Sequence, residues 1–296
     1  TRGVSELAPI RLAVVGLGLI GGSLARALRD VGAVSEIVGY DRDPEQVRLA
    51  LELGVIDRAG LDAADAVRGA DVAVIAVPVL ATAAAIADCK PGLGPDNILT
   101  DVGSTKQSVL DAVTSVFGSI PPRFVAAHPI AGTEKSGVAH ARVDLFNKHR
   151  LILTPHPAQD AQALAVVEAL WSATGARVVK MDAKRHDAIF AATSHLPHLL
   201  AYSFVDMLDH RDGADEDIFP NAGGGFRDFT RIASSSPRMW HDILRANAGP
   251  VAELLRQQID ELSGLLRMIE SGDWDAMRAV FERARAARER HLTRIE

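Results

Sequence analysis

Residues 11–25 read RLAVVGLGLIGGSLA, and this stretch decides the fold. The apolar run Arg11–Val15 predicts a buried strand, and the residues from Gly22 to Val31 keep the apolar spacing of a helix. Between them lie Gly16, Gly18 and Gly21, in the G-x-G-x-x-G spacing that turns a strand sharply into a helix. The first glycine permits the tight turn, the second lets backbone approach a pyrophosphate, and the third lets helix pack closely on strand. The helix N-terminus then presents free N–H groups and a partial positive charge to the phosphates. Asp41 ends the next apolar run, Glu36–Tyr40, 20 residues beyond Gly21. A carboxylate there accepts hydrogen bonds from the adenosine ribose and repels a 2′-phosphate, which favours NAD over NADP. Arg42 works the other way, since a guanidinium beside Asp41 can turn to accept that phosphate. Leu19 and Ile20, between the glycines, and Val77 and Pro78, at the end of the third apolar run, complete the candidate cofactor contacts.

Outward from this motif, short β-rich runs alternate with helical patterns. The strand candidates are Arg11–Gly16, Glu36–Tyr40, Val72–Val77, Ile98–Val102, Phe124–Ala127, Leu151–Thr154 and Ala176–Met181. Helices are predicted over Gly22–Val31, Pro44–Leu53, Leu80–Cys89, Lys106–Val116 and Ala161–Thr174. Such alternation implies βαβ units and a mostly parallel sheet covered on both faces. After Asp182 only helical patterns occur: Lys184–His210, a stretch from about Asp228, Met239–Met268 and Trp274–Thr293. The Gly-rich segment Asn221–Phe226 reads as a loop. Two domains are therefore expected, residues 1–182 binding the dinucleotide and residues 183–296 forming a helical domain. The helical half carries more apolar face than one small domain needs, which predicts a homodimer.

Bulk properties narrow the function classes. With 48% hydrophobic and 24% charged residues, the chain of 296 residues has the balance of a globular protein. A net charge of -6 argues against a nucleic-acid partner, which calls for a basic face. No apolar run is long enough to span a bilayer, and Thr1–Ile10 lacks the order of a secretion signal. The single cysteine, Cys89, excludes an intrachain disulfide and fits a reducing cytoplasm. Its simplest reading is a small residue at a helix end.

Four further segments are unusually polar for their surroundings: DVGSTK (101–106), HPIAGTEKSG (128–137), SHLPH (194–198) and GGGFRDFTRIASSSPRMW (223–240). Pro197 predicts a kink in its helix, because it removes a backbone donor and clashes with the preceding turn. Together with GLGLIGGS (16–23), and in this order, the segments resemble the prephenate/arogenate dehydrogenase family over essentially the whole chain. The resemblance implies an α/β Rossmann-like N-terminal domain, an all-helical C-terminal dimerisation domain, and oxidative decarboxylation of prephenate, or alternatively arogenate, with NAD(P). It implies that His128 hydrogen-bonds the ring hydroxyl with support from Ser104, and that Ser194 and His198 line the substrate. It further implies that Arg231 binds a substrate carboxylate, Glu134 and Asp228 form an ionic gate with it, and Trp240 reaches the partner subunit's site. The chain ends at Glu296 without the regulatory domain of some family members, so tyrosine feedback through such a domain is not expected.

The chemistry agrees with these roles. A hydroxyl losing hydride from its carbon must also lose its proton, and a neutral imidazole suits that task. A dianionic substrate calls for fixed cations, which a guanidinium supplies in bidentate fashion. No metal is needed. His195 and His198 sit three apart without a third metal ligand, and His195 reads as a packing residue. His128 capping a strand, Arg227 pairing with a surface acid and Trp240 as plain core are the competing structural readings. A β-hydroxyacid dehydrogenase would share only the first 80 residues and would carry a catalytic lysine on the interdomain helix, where this chain has Ser194–His198. A non-enzymatic NAD sensor would need a basic recognition helix, and none is visible.

Overall fold

The computed structural model describes residues 8–133, 135–212 and 218–295. β1 (Ile10–Val15) leads into α1 (Leu19–Asp30), followed by β2 (Val34–Tyr40), α2 (Pro44–Glu52) and the two-residue β3 (Arg58–Ala59). Then come α3 (Ala63–Val67), β4 (Val72–Ile75), α4 (Thr82–Cys89), β5 (Ile98–Asp101), α5 (Gln107–Phe117) and β6 (Phe124–Val125). These six strands are parallel, in the order β3-β2-β1-β4-β5-β6. That is the doubly wound order, with its switch point between β1 and β4. The alternation of β1 explains the cover on both faces. Leu12 and Val14 pack with Leu24 and Leu28 of α1, while Ala13 and Val15 pack with Ile86 of α4 and Val109 of α5.

The run Phe124–Ala127, expected as one strand, is divided between two sheets. β6 closes the first, and after Ala126 the chain enters β7 (Ala127–Pro129). β7 pairs antiparallel with β8 (Arg150–Leu153), which pairs parallel with β9 (Arg177–Lys180) across α6 (Ala161–Ala173). The transfer matters because it sets His128 in the second sheet, directly after the last strand of the first. Helix starts obey local chemistry: Asp43, Asp62, Asp160 and Asp182 each accept a backbone N–H at the start of α2, α3, α6 and the next helix, α7 (Ala183–Phe190).

Beyond β9 the described chain is helical. α7 runs into a π-helical turn at Ala191–His195 and on into α8 (Leu196–Asp209). The break expected at Pro197 thus takes the form of a widened turn just before it. Proline has no N–H for the carbonyl four residues back and crowds it, a defect that a π-turn absorbs. α9 (Gly224–Thr230) and α10 (Pro237–Ala246) complete this part. The segment Asn221–Phe226 is not simply a loop, because Gly224, Gly225 and Phe226 form the first turn of α9. Aromatic packing overrides the low helix propensity of glycine there: Phe226 meets Phe204 and Phe219 at ring distances of 6.0 and 5.9 Å. Asp228 accordingly lies inside the helix and does not cap it, since Gly223 holds the cap position.

The helix predicted over Met239–Met268 is also two. α10 stops before Asn247, whose side chain is drawn into the core, and α11 (Ala248–Ser271) carries Pro250 in its first turn, where proline is tolerated. By compactness the chain falls into two units, one ending at Ala248 and the other beginning at Gly249. The second unit consists of α11 and α12 (Trp274–Ile295). Among the described residues no helix is long and apolar enough to cross a membrane.

Candidate active site

Among the described residues of the first unit, two cavities hold most of the expected site residues. The smaller, about 250 Å³, lies at the C-terminal ends of β1, β2 and β4 and is lined by Gly16, Gly18, Tyr40, Asp41, Arg42, Val77, Pro78, Asp88 and Arg238, among others. Its floor is backbone. Gly16 has φ +102°, and a Cβ there would lie 2.3 Å from the Ala76 carbonyl oxygen. A Cβ on Gly21 would lie 2.2 Å from the Gly16 carbonyl oxygen. Both contacts are impossible, so the turn admits no side chain at either position. A Cβ on Gly18 meets nothing within 4 Å, which leaves that face of the backbone open to a ligand. The cradle fits a pyrophosphate. The Asp41 carboxylate is fixed at the rim, accepting from the Leu17 N–H at 2.7 Å and the Asp43 N–H at 2.9 Å. Arg42 reaches toward Asp88, with Nη2 3.5 Å from Oδ2. Leu19, Ile20 and Gly21 do not line the cavity; they build the first turn of α1 behind it.

The larger cavity, about 440 Å³, is walled by His128–Thr133, by Phe190, Thr193, Ser194 and His198, and by Arg231, Ile232, Ser235, Met239 and Trp240. β7 supplies the first group, α7, the π-turn and α8 the second, and the turn after α9 with α10 the third. The backbone before His128 is clamped. Lys106 and Asp101 form a fully buried ion pair at 2.6 Å. Asp101 accepts the Ala127 N–H at 3.0 Å, and Lys106 donates to the Ala127 carbonyl. Breaking a buried pair of this kind typically costs about 3–5 kcal/mol.

His128 heads a chain of hydrogen bonds. Its Nδ1 lies 2.8 Å from His186 Nε2, and His186 Nδ1 lies 2.8 Å from Asp187 Oδ1. A carboxylate only accepts, so His186 carries its proton on Nδ1 and its Nε2 accepts from His128 Nδ1. The remaining nitrogen of His128, Nε2, then holds a free lone pair. Burial, reinforced by His186 and Lys106, pushes the His128 pKa well below the ordinary imidazole value, so the ring is neutral. His186 is lowered in the same direction by burial. Burial alone would raise the Asp187 carboxyl, but bonds from His186 and from the Lys106 and Gln107 N–H groups outweigh it and bring it below the usual range. Asp187 therefore closes the relay while capping the start of α5, at 2.8 and 2.9 Å.

On the opposite wall, His198 stacks on Trp240 with ring centroids 3.5 Å apart and donates from Nδ1 to the Ser194 carbonyl at 2.8 Å. Burial and the nearby Arg231 charge lower its pKa. Trp240 is 7% exposed, and its indole N–H is buried without a protein partner. It packs against His198 and, edge-on, His195. His195 is buried behind this wall, with Nδ1 3.0 Å from the Asn247 amide, and burial takes its pKa down to about 4.

Of the residues singled out from the sequence, His128, Ser194, His198, Arg231 and Trp240 are brought together around one cavity. Ser104 is half-buried and lines neither cavity; its loop spends its inward positions on Asp101, Thr105 and Lys106. Asp228 is exposed and lines neither, and Glu134 lies outside the described residues. Cys89 is buried at the end of α4, where burial and Asp88 push its thiol up to about 12, too high for a reactive thiolate. Sequence reasoning missed His186 and Asp187. A signal existed: His186, Phe190, Ser194 and His198 recur every four residues, the spacing of one helical face. Among the described residues no three His, Cys, Asp or Glu side chains converge as metal ligands.

Residues 24–180 match the family described as prephenate dehydrogenase, nucleotide-binding domain, and residues 182–283 the one described as prephenate dehydrogenase, dimerization domain. The chain is 38% identical over 279 residues to prephenate dehydrogenase of Bacillus subtilis, covering 93% of this chain and 74% of that one. It is 36% identical to cyclohexadienyl dehydrogenase of Zymomonas mobilis, covering 94% of each. The crystal structure of prephenate dehydrogenase from Aquifex aeolicus with hydroxyphenyl propionate and NAD+ superposes with a TM-score of 0.90 at 33% identity, covering 98% of this chain and 100% of that one. A doubly wound sheet with its glycine cradle, a histidine-headed cavity beside it and likeness along nearly the full length converge: the chain belongs to the prephenate dehydrogenase family.

Proposed function

We propose that this protein catalyses NAD-dependent oxidative decarboxylation of prephenate to 4-hydroxyphenylpyruvate. The observation that carries the reading is the free Nε2 lone pair of His128, fixed by the His186–Asp187 relay at the wall of a cavity that also holds Arg231. His128 takes the proton of the ring hydroxyl as its carbon is oxidised, and returns it to the ring oxygen as carbon dioxide leaves and the ring becomes aromatic. NAD, when bound, accepts the hydride. Gly16, Gly18, Val77 and Pro78 hold the dinucleotide, and Asp41 meets the adenosine ribose, which favours NAD over NADP. Arg231 faces a substrate carboxylate, with Ser194 and His198 alongside. Ser104 and Asp228 keep only the roles the family likeness implies. Relaying charge through His186 to Asp187 stabilises the imidazolium that forms on His128.

Mixing the protein with prephenate and NAD should raise NADH absorbance and release one carbon dioxide per NADH. Arogenate run in parallel tests the second substrate. Absence of NADH with both would overturn the reading.

We also propose a homodimer. On α11, Ile259, Leu262, Leu266 and Ile269 are each about half exposed, at 52%, 51%, 54% and 51%, and keep helical spacing along one stripe. A stripe of this kind needs cover, and a second copy of the family's dimerisation domain supplies it. Light scattering should give twice the monomer mass; a monomer at micromolar concentration would reject it.

A further inference from the structure

The rim of the smaller cavity carries charged side chains from separate places: Asp41 and Arg42 after β2, Asp88 near the end of α4, and Arg238 in the first turn of α10. An arginine beside the acid at the end of β2 is the natural ligand for a 2′-phosphate, which it grips in bidentate fashion. Here that arginine is engaged elsewhere. Its Nη2 lies 3.5 Å from Asp88 Oδ2, and the two residues are 46 apart in sequence. We infer that Asp88 is a selectivity determinant for NAD over NADP, acting by holding Arg42 and by adding its charge to that of Asp41 beside the ribose.

The inference rests on the reading of this cavity as the dinucleotide site. Asp88 acts in two ways against the 2′-phosphate. It competes for the one guanidinium adjacent to Asp41, and it places a second negative charge on the same rim. Both partners of the pair are more than half exposed, with side chains 67% and 56% accessible, so the pair is weak and the guanidinium is held without being locked. The consequence is a graded preference that one substitution can move. Arg238 is the other cation on this rim and makes no ion pair with a described residue, so the experiment must separate it from Arg42.

The test is fluorescence titration of the intact protein with NADH and with NADPH, without substrate. Asp88→Asn should lower the ratio of the NADPH to the NADH dissociation constant by about 1.5- to fivefold, the scale of one exposed charge interaction. Adding Arg42→Gln to Asp88→Asn should remove most of that gain, leaving only the part that comes from the loss of the Asp88 charge itself, whereas adding Arg238→Gln should leave the gain whole. An unchanged ratio in Asp88→Asn overturns the proposal. So does a gain that survives Arg42→Gln whole but is lost with Arg238→Gln, since the phosphate ligand is then the wrong arginine. If the unsubstituted protein binds neither dinucleotide, the cavity itself has been misread and the proposal falls with it.

Discussion

The dinucleotide cavity takes its shape from backbone, whereas the cavity around His128 takes its shape from side chains that meet only after folding. Gly16, Gly18 and Gly21 act by having no side chain, within six residues of one another: a Cβ on the first or third would strike a carbonyl oxygen, and one on the second would enter open space. His128, His186, His198, Arg231 and Trp240 come from three regions separated by tens of residues, and each is oriented by another side chain or by a clamped peptide. A backbone site is robust to repacking and fails when an atom is added. A side-chain site fails when an atom is removed.

The largest effect should therefore come from deleting the base. His128→Asn should lower kcat by roughly 10²–10⁴-fold, the range of general base catalysis, with NADH affinity nearly unchanged. Because burial holds His128 well below the ordinary imidazole value, wild-type kcat should stay high below a pH of about 6.5. Steady-state kinetics across pH check both, and near-normal turnover in the variant would remove His128 from the mechanism.

Arg231→Gln should come next. Arg231 is exposed in the cavity wall, so its bond to a carboxylate is worth about 1.5–3 kcal/mol, or roughly 10- to 150-fold in kcat/KM. Most of the loss should fall on the substrate KM, because ground and transition states share the contact. Arg227→Gln, outside the cavity wall, should do much less. Reversed behaviour of the two arginines would show that the wrong one carries the carboxylate.

Adding one methyl group sharpens the comparison from the other side. Gly18→Ala should fold normally, since its Cβ meets nothing, yet weaken NADH binding by about 5- to 100-fold by filling space a pyrophosphate needs. Gly16→Ala should instead lower the melting temperature, since its Cβ strikes the Ala76 carbonyl. Calorimetry with NADH titration separates the two; equal loss of stability in both would break that distinction.

The smallest effect concerns pH and the fold. His128, His186 and His195 all have folded pKa values lowered by burial. Below their ordinary value of about 6.5 the unfolded chain binds more protons than the folded one, so stability falls as pH drops. The melting temperature should be steady from about pH 8 to 7 and decline from about 6.5 toward 4, where His195 itself titrates. A flat profile through that window would mean that these rings reach solvent.

The same contrast explains which features were legible in the sequence. The sheet and its cofactor turn were readable because βαβ alternation and glycine spacing are local signals. The second sheet was not, because nothing in Phe124–Ala127 marks a strand that changes partners at Ala126. The break at Asn247 was hidden because it depends on bonds to Asp187 and His195, more than 50 residues away. His128, His198 and Arg231 were reached through family likeness, not through any pattern of their own. His186 and Asp187 escaped because a His–Asp pair at a helix start is unremarkable until His128 arrives beside it.

The π-turn at Ala191–His195 sets a rule about insertions and deletions. Each helical residue advances the chain by about 100° and 1.5 Å. A π-turn holds one residue more than an α-turn, so removing one residue between Ala191 and His195 would let it relax to an ordinary α-helix with α8 roughly in phase. A deletion within α7 finds no such slack: it would rotate everything after it by that angle relative to His186 and carry His198 off Trp240, although every functional side chain were still encoded. The wall of this cavity thus depends on a count of residues as well as on their identity, and the π-turn is the place where that count can change at least cost.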